Sequence, residues 1–266
     1  MRLRFLTLSS LFVAVVISSG CATSPTGRSQ LMLVSESQAI SASKQAYINT
    51  VSELDKEGKI VADSALTRRV QRITSNLVRQ AKKMRPQSAS WAWEMKVIDD
   101  PEMVNAWCMA GGKMAVYTGL INKVKPTDDE LAQVIGHEIS HALANHTAER
   151  MSVAMASSLG VTILGVATDS NALAVSAGVV AAKLAVELPN SREGESEADE
   201  IGIELAARAG YDPRAAVTLW QKMGKVGGAT PPQFLSTHPS PANRQQRLRE
   251  LAEKWMPVYE KTRLQR

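Results

Sequence analysis

Thr127-Asp128-Asp129-Glu130-Leu131-Ala132-Gln133-Val134-Ile135-Gly136-His137-Glu138-Ile139-Ser140-His141-Ala142-Leu143 is the stretch on which the reading of this chain turns. Thr127 with Glu130 three residues on is a capping box, and the apolar spacing after it predicts a helix running to about Met151. Inside that helix stands His137-Glu138-Ile139-Ser140-His141. At 1.5 Å rise per residue, histidines four apart lie about 6 Å apart on one face, so both imidazoles reach one zinc ion at ~2.0–2.1 Å. Glu138 is rotated off that line, towards a metal-bound water and away from the metal. Zinc lowers the pKa of such a water towards ~7, and a carboxylate beside it takes the proton as a carbonyl is attacked. The flanking Leu131, Val134, Ile135, Ile139 and Leu143 are core-like, so the histidines are buried, and buried histidines need partners.

A catalytic zinc takes three protein ligands and keeps an open position for water. His146 lies five residues past His141, turned away from its face on a continuous helix, and reads as a surface or supporting histidine. The acid cluster Arg192-Glu193-Gly194-Glu195-Ser196-Glu197-Ala198-Asp199 is the better source of a third ligand. Glu195 and Asp199 are four apart, so one can bind the metal while the other orients a ligating histidine through its free ring nitrogen. Glu193 and Glu197 form a competing pair that spacing does not exclude. The shorter Asp four residues on favours Glu195, with Glu197 roughly opposite it.

Outward from this centre, 266 residues with 44% hydrophobic and 21% charged content can bury a full core, which excludes disorder and a disulfide-stapled miniature scaffold. The net charge is +5, and without Arg2 and Arg4 of the first twenty residues it is 5 − 2 = +3, too weak to argue for nucleic acid. Aromatic residues at 5% speak against base-stacking and carbohydrate-binding surfaces. Arg2 and Arg4 precede the apolar residues 5–17, then Ser18-Ser19-Gly20 and Cys21, the layout of a secretory signal. The apolar run is shorter than the ~20 residues of a membrane span. With its cysteine directly after Gly20 the segment resembles a bacterial lipoprotein signal, Ser18 standing where Leu is usual, and Cys21 is the expected lipidation site. Ala22 after it resembles outer-membrane sorting. Cys108 is then a lone thiol that forms no intramolecular disulfide, and residues 22–35, polar and turn-rich, read as a tether.

Residues 36–85 read as helical, with an apolar stripe at Val70, Ile73, Leu77, Ala81 and Met84 and a solvated basic face of Arg68, Arg69, Arg72, Arg79, Lys82, Lys83 and Arg85. Residues 91–98, 103–108 and 113–118 read as strands, the last two joined through Gly111-Gly112, which implies a small antiparallel sheet. Residues 151–188 are rich in small residues and read as a buried or lid-like helical pair rather than a membrane hairpin, since Lys183 and Glu187 interrupt the second half. Asp212-Pro213 and Ser240-Pro241 start helices near 213–225 and 241–255. The fold class is α+β, mostly helical, with the sheet beside the helix that carries the histidines.

His137-Glu138-x-x-His141, Ser191-Arg192-x-x-Glu195-x-Glu197-Ala198-Asp199, Asn105-Ala106-Trp107 with Gly111-Gly112, and Thr237-His238-Pro239 with Arg244 together resemble the HtpX and CAAX-prenyl-protease family of zinc metallopeptidases. The stretch 26–31 resembles its periplasmic lipoprotein branch. The resemblance implies a zincin-like metallopeptidase domain over residues 36–266, after a signal peptide at 1–20 and a lipidated tether at 21–35. It makes Glu195 the third ligand of one zinc per chain, with Asp199 behind a ligand, Glu138 as general base and Asn105, Ala106 and Trp107 along the substrate. His238 is placed at the active site, either donating to the oxyanion, the role we favour on sequence, or occupying the metal's open position. Ala110 departs from the proline common before the two glycines. The function expected is an endopeptidase of periplasmic and outer-membrane quality control, lipid-anchored at the outer membrane and facing the periplasm. Its substrates are unfolded or misfolded polypeptides, and nucleic acid is no partner. The alternative is an outer-membrane assembly factor that acts mainly by binding clients.

Overall fold

The computed structural model describes residues 21–162, 190–226, 232–239 and 242–265. Glu57 and Gly58 split the first helical stretch in two: α1 is Glu36–Lys56 and α2 is Ala65–Met84, and Gly58 takes the left-handed φ of 67° that the turn requires. Ser35 and Ser64 cap the two helices through their side chains. Val70, Ile73, Leu77 and Ala81 of α2 are fully buried, as the stripe predicts. The basic face is partly paired: Arg69 and Arg72 hold Asp128, Arg68 holds Asp63 and Arg85 holds Glu36.

Three strands follow, β3 (Glu94–Ile98), β4 (Ala106–Met109) and β5 (Lys113–Tyr117), in the order β3-β5-β4. The β4–β5 hairpin is antiparallel and turns through Gly111 and Gly112, both at positive φ. β3 pairs parallel with β5, so the sheet is mixed where the sequence implied a purely antiparallel one. Its central strand β5 is buried at Met114, Ala115 and Val116, while β4 is an edge strand.

The capping box holds, and α3 runs Asp128–Leu143. It does not reach Met151. Ala144 closes it, Asn145 adopts a left-handed φ of 58°, and a second helix, α4 (His146–Thr162), starts in a new direction. The remaining described helices are α5 (Arg192–Arg208), α6 (Ala215–Val226), the single turn α7 (Gln233–Thr237) and α8 (Arg244–Thr262). α3 lies at the centre, against α2, α4, α5, α6 and β4.

Residues 21–31 are not free. β1 (Cys21–Thr23) and β2 (Ser29–Leu31) make a hairpin, and the stretch expected as a tether is docked on the helices. Thr26 and Arg28 bond Glu197 of α5, Arg28 grips Glu149 of α4 through two 2.6 Å contacts, and Gln30 donates to the Ala144 carbonyl that ends α3. Among the described residues, no helix is long and apolar enough to cross a membrane. The signal segment at 1–20, residues 163–189 of the apolar region, and the Ser240-Pro241 cap lie outside the described residues.

Candidate metal centre and active site

Two glycines set the distance between the helices that carry the site. A Cβ on Gly136 of α3 would lie 3.1 Å from the Gly202 carbonyl, and one on Gly202 of α5 would lie 3.0 Å from the backbone of His137. The backbones therefore approach closely, and the first two turns of α5 present Glu195 and Asp199 directly to the histidines of α3.

There the Nε2 atoms of His137 and His141 are 3.2 Å apart, Glu195 Oε2 is 3.3 Å from His137 Nε2, and Glu195 Oε1 is 3.4 Å from His141 Nε2. Ligand atoms at the corners of a tetrahedron with ~2.0 Å bonds are separated by ~3.3 Å, so the two imidazole nitrogens, each with one Glu195 oxygen at that spacing, suit one zinc ion. The carboxylate of Glu195 is fully buried and neither oxygen has a hydrogen-bond partner; the Arg244 guanidinium, 3.3 Å away, is shared with Asp199, so two buried carboxylates face one fixed positive charge, which suits a bound cation. His238 joins the same cluster, in which all four donor atoms lie within 4.8 Å of one another. The donor set, two or three imidazoles and a carboxylate, suits zinc.

Each histidine is oriented from behind. For His137 to offer an Nε2 lone pair its proton must sit on Nδ1, where Asp199 Oδ1 accepts it at 3.1 Å. Asp199 is steadied by Arg244 at 2.8 Å, and the Arg244 guanidinium also reaches Glu195 at 3.3 Å and stacks 3.3 Å over the Trp220 ring. Burial alone would raise the Asp199 and Glu195 carboxyls. Arg244 and His137 hold Asp199 below the usual range, and His238 and His137 hold Glu195 well below it. Burial disfavours charge on His137 as well, but Glu195 and Asp199 outweigh it and raise the ring to about 9.

His141 is supported by His146, which spacing leaves as either a surface or a supporting histidine. Its Nδ1 lies 2.7 Å from Nδ1 of His146, whose Nε2 is 3.0 Å from Glu197 Oε2. If His141 offers its Nε2 lone pair, it donates from Nδ1 to His146. His146 in turn donates from Nε2 to Glu197, so the chain of bonds fixes both tautomers. Glu197 is held by Thr26 at 2.7 Å and Arg28 at 3.0 Å, which ties the N-terminal hairpin to the metal centre. His146, expected to turn away from His141, turns back because Asn145 breaks the helix between them.

Glu138 is buried, its Oε1 has no hydrogen-bond partner, and it faces His238 Nε2 at 3.2 Å. His238 Nδ1 lies 2.9 Å from the Phe234 carbonyl; a proton on Nδ1 satisfies that oxygen and leaves an Nε2 lone pair turned to the cluster. That tautomer suits a fourth metal donor, whereas donation to an oxyanion requires a proton on Nε2. A small cavity, about 20 Å³, opens between Glu138, His141, His238, Arg150, Asn190 and residues 105–108. Asn105, Ala106 and Trp107 thus lie beside the site on the edge strand or just before it. Cys108, also on this wall, is buried, and burial together with the charge of Glu138 pushes its thiol well up. Cys21 lies in the N-terminal hairpin.

The family model of peptidase family M48 matches residues 64–252. The mitochondrial metalloendopeptidase OMA1 of Arabidopsis thaliana is 44% identical over 153 residues, covering 58% of this chain and 30% of that protein. The metalloendopeptidase OMA1 of Homo sapiens is 33% identical over 271 residues, covering 96% of this chain and 51% of that protein. The beta-barrel assembly-enhancing protease of Escherichia coli is 27% identical over 217 residues, covering 78% and 43%. The chain therefore spans about half the length, or less, of these relatives. With its buried His137, His141 and Glu195 inside the matched residues, the chain belongs to peptidase family M48, whose members are zinc metallopeptidases.

Proposed function

We propose that this chain is a zinc-dependent endopeptidase that cuts unfolded or misassembled polypeptides in protein quality control at the periplasmic face of the outer membrane. The observation that carries the hydrolytic part is the fully buried Glu195 carboxylate between two imidazole nitrogens, with the buried Glu138 carboxylate alongside, facing His238. His137, His141 and Glu195 hold the metal, and Asp199 and His146 orient the two histidines. Zinc bound there supplies a Lewis acid that acidifies water and polarises a carbonyl. Glu138 takes the proton of the attacking water and passes it to the leaving amine. An extended substrate pairs with the backbone beside Asn105, Ala106 and Trp107, which reads little side-chain identity and suits loose specificity.

Within M48, the periplasmic lipoprotein branch is the placement we infer from the signal layout at Arg2, Arg4, residues 5–17 and Cys21 and from the motif stretch 26–31. The OMA1 relatives are mitochondrial by name, so the compartment rests on this N-terminal segment. The likeness to a protein named for enhancing beta-barrel assembly supports a link to outer-membrane assembly, and with it the second reading, a factor that binds clients. One comparison tests both. Wild type and Glu138→Gln, each loaded with zinc, are given an unfolded model protein and assayed for cleavage and for client binding. Cleavage lost with Glu138→Gln supports the peptidase; binding without cleavage in both supports the client-binding factor. Cys21→Ser, followed by membrane fractionation, tests the anchor: the variant is expected in the soluble fraction, and its retention on salt-washed membranes refutes the anchor as sole attachment.

A further inference from the structure

We propose that Arg150 is an anion receptor within the active-site cleft, taking a carboxylate of the bound polypeptide. This rests on the peptidase reading and specifies what the site prefers to hold. Arg150 lies one helical turn after His146 on α4, on the same face, and forms part of the cavity wall with Glu138, His141 and His238. Its Nε and Nη1 atoms are buried and have no hydrogen-bond partner. Arg28, Arg69, Arg72 and Arg85 each hold a carboxylate at 2.5–3.0 Å. Arg150 holds none among the described residues.

The acids nearest in charge are already engaged. Glu195 belongs to the metal cluster, Glu138 faces His238, and Glu149, the next residue round the helix, is gripped by Arg28 and Gln30. Burial accordingly lowers Arg150 to about 10 although Glu195, Glu138 and Glu149 favour its charged form. Arg150 is half-buried, but two of its three guanidinium nitrogens are buried without a hydrogen bond, which is unfavourable, and a ligand that brings an anionic acceptor to them relieves it. A peptide carbonyl satisfies a donor but leaves the charge; a carboxylate satisfies both and makes the stronger, charge-assisted bond. The cavity of about 20 Å³ is the space of roughly one water molecule, or of one carboxylate oxygen. The carboxylate has two possible sources with the same chemistry: an acidic side chain near the bond being cut, or the free C-terminus of the substrate.

The test uses the zinc-loaded chain and internally quenched peptides in which each position in turn is Glu, Gln or Lys, with the C-terminus free or amidated. Wild type is expected to favour one carboxylate-bearing peptide over its neutral twin by roughly 10–100-fold in kcat/KM, the range of a charge-assisted hydrogen bond. Arg150→Gln should flatten that preference, Arg150→Lys should restore part of it, and Arg150→Glu should swing it to Lys. A preference that disappears on amidation assigns the carboxylate to the chain end; one that survives assigns it to a side chain. The same peptide pair is bound to Glu138→Gln and to Glu138→Gln/Arg150→Gln and followed by fluorescence anisotropy, so that discrimination is read without turnover. Discrimination in binding with no cleavage by wild type leaves the receptor standing and overturns the peptidase reading. Equal handling of the twins by wild type, or full discrimination retained by folded, zinc-replete Arg150→Gln, overturns the receptor.

Discussion

Replacing Glu197 by Gln removes one charge some way behind the metal and should still weaken zinc binding. The Glu197 side chain is 2% exposed and accepts from Thr26 Oγ1 at 2.7 Å, Arg28 Nε at 3.0 Å and His146 Nε2 at 3.0 Å. A glutamine offers one acceptor oxygen and one amide group. If the amide faces His146, two donors meet; the imidazole must then move its proton to Nδ1, where it meets the Nδ1 proton of His141 at 2.7 Å. If the amide takes the Oε1 position it meets Thr26, while the Oε2 position still accepts from Arg28 and His146 but no longer carries charge. Either way His141 becomes a poorer, less firmly held ligand. Losing an outer partner of a ligating histidine costs about 10–100-fold in metal affinity, or about 1.4–2.8 kcal/mol.

The assay is competition for zinc against a chromophoric chelator. The control is Glu200→Gln, on the same helix but partly exposed and paired, among the described residues, with Lys254 and Arg247. Glu197→Gln should lose 10- to 100-fold in affinity while Glu200→Gln stays within about twofold. Arg28→Met, which leaves the Glu197–His146 bond in place, should fall between them. Unchanged zinc affinity in Glu197→Gln, or equal losses in both glutamine variants, refutes the relay and leaves Glu197 as packing for α5.

Glu138→Gln should retain zinc and lose hydrolysis by about 10²–10⁴-fold, with Asp199→Asn milder; the reverse ranking in a cleavage assay would make Asp199 a ligand. Gly202→Ala places a methyl 3.0 Å from the His137 backbone and should destabilise the fold by about 1–3 kcal/mol, read as a fall in Tm and in zinc affinity. A Tm within about 1 °C of wild type would mean that the α3–α5 spacing is not set by this contact. His238→Ala should raise basal hydrolysis if His238 gives its Nδ1 proton to the Phe234 carbonyl and leaves the Nε2 lone pair for the metal cluster. A loss of about 10²–10³-fold would instead assign His238 to the oxyanion.

The parts of this centre that local spacing determines were legible in the sequence. The capping box, the two histidines one turn apart, and the Glu195 and Asp199 pair are i, i+3 and i, i+4 relations, and the structure keeps each of them. What spacing could not supply is where a helix stops. A continuous helix to Met151 turns His146 away from His141, whereas a left-handed residue at position 145 folds it back. The signal was present: asparagine tolerates positive φ and is the usual substitute for glycine just past a helix end, and Ala144-Asn145 follows the last apolar position of the periodic stretch. The parallel β3–β5 pairing escaped for a different reason, since alternation reports a strand but not its neighbour.

The hairpin is the deeper case. Thr26, Arg28, Glu149 and Glu197 are each polar and each sits in a polar stretch, so each taken singly reads as solvated. Their partners lie 121 to 171 residues away along the chain, and only when the three segments meet does burying them become tolerable, because the two carboxylates then share the Arg28 guanidinium and each of their oxygens accepts a hydrogen bond. That dependence has a functional consequence. His141 is oriented through His146 and Glu197 by a hairpin that begins at Cys21, the residue expected to carry the lipid, so whatever displaces the hairpin also disturbs a metal ligand.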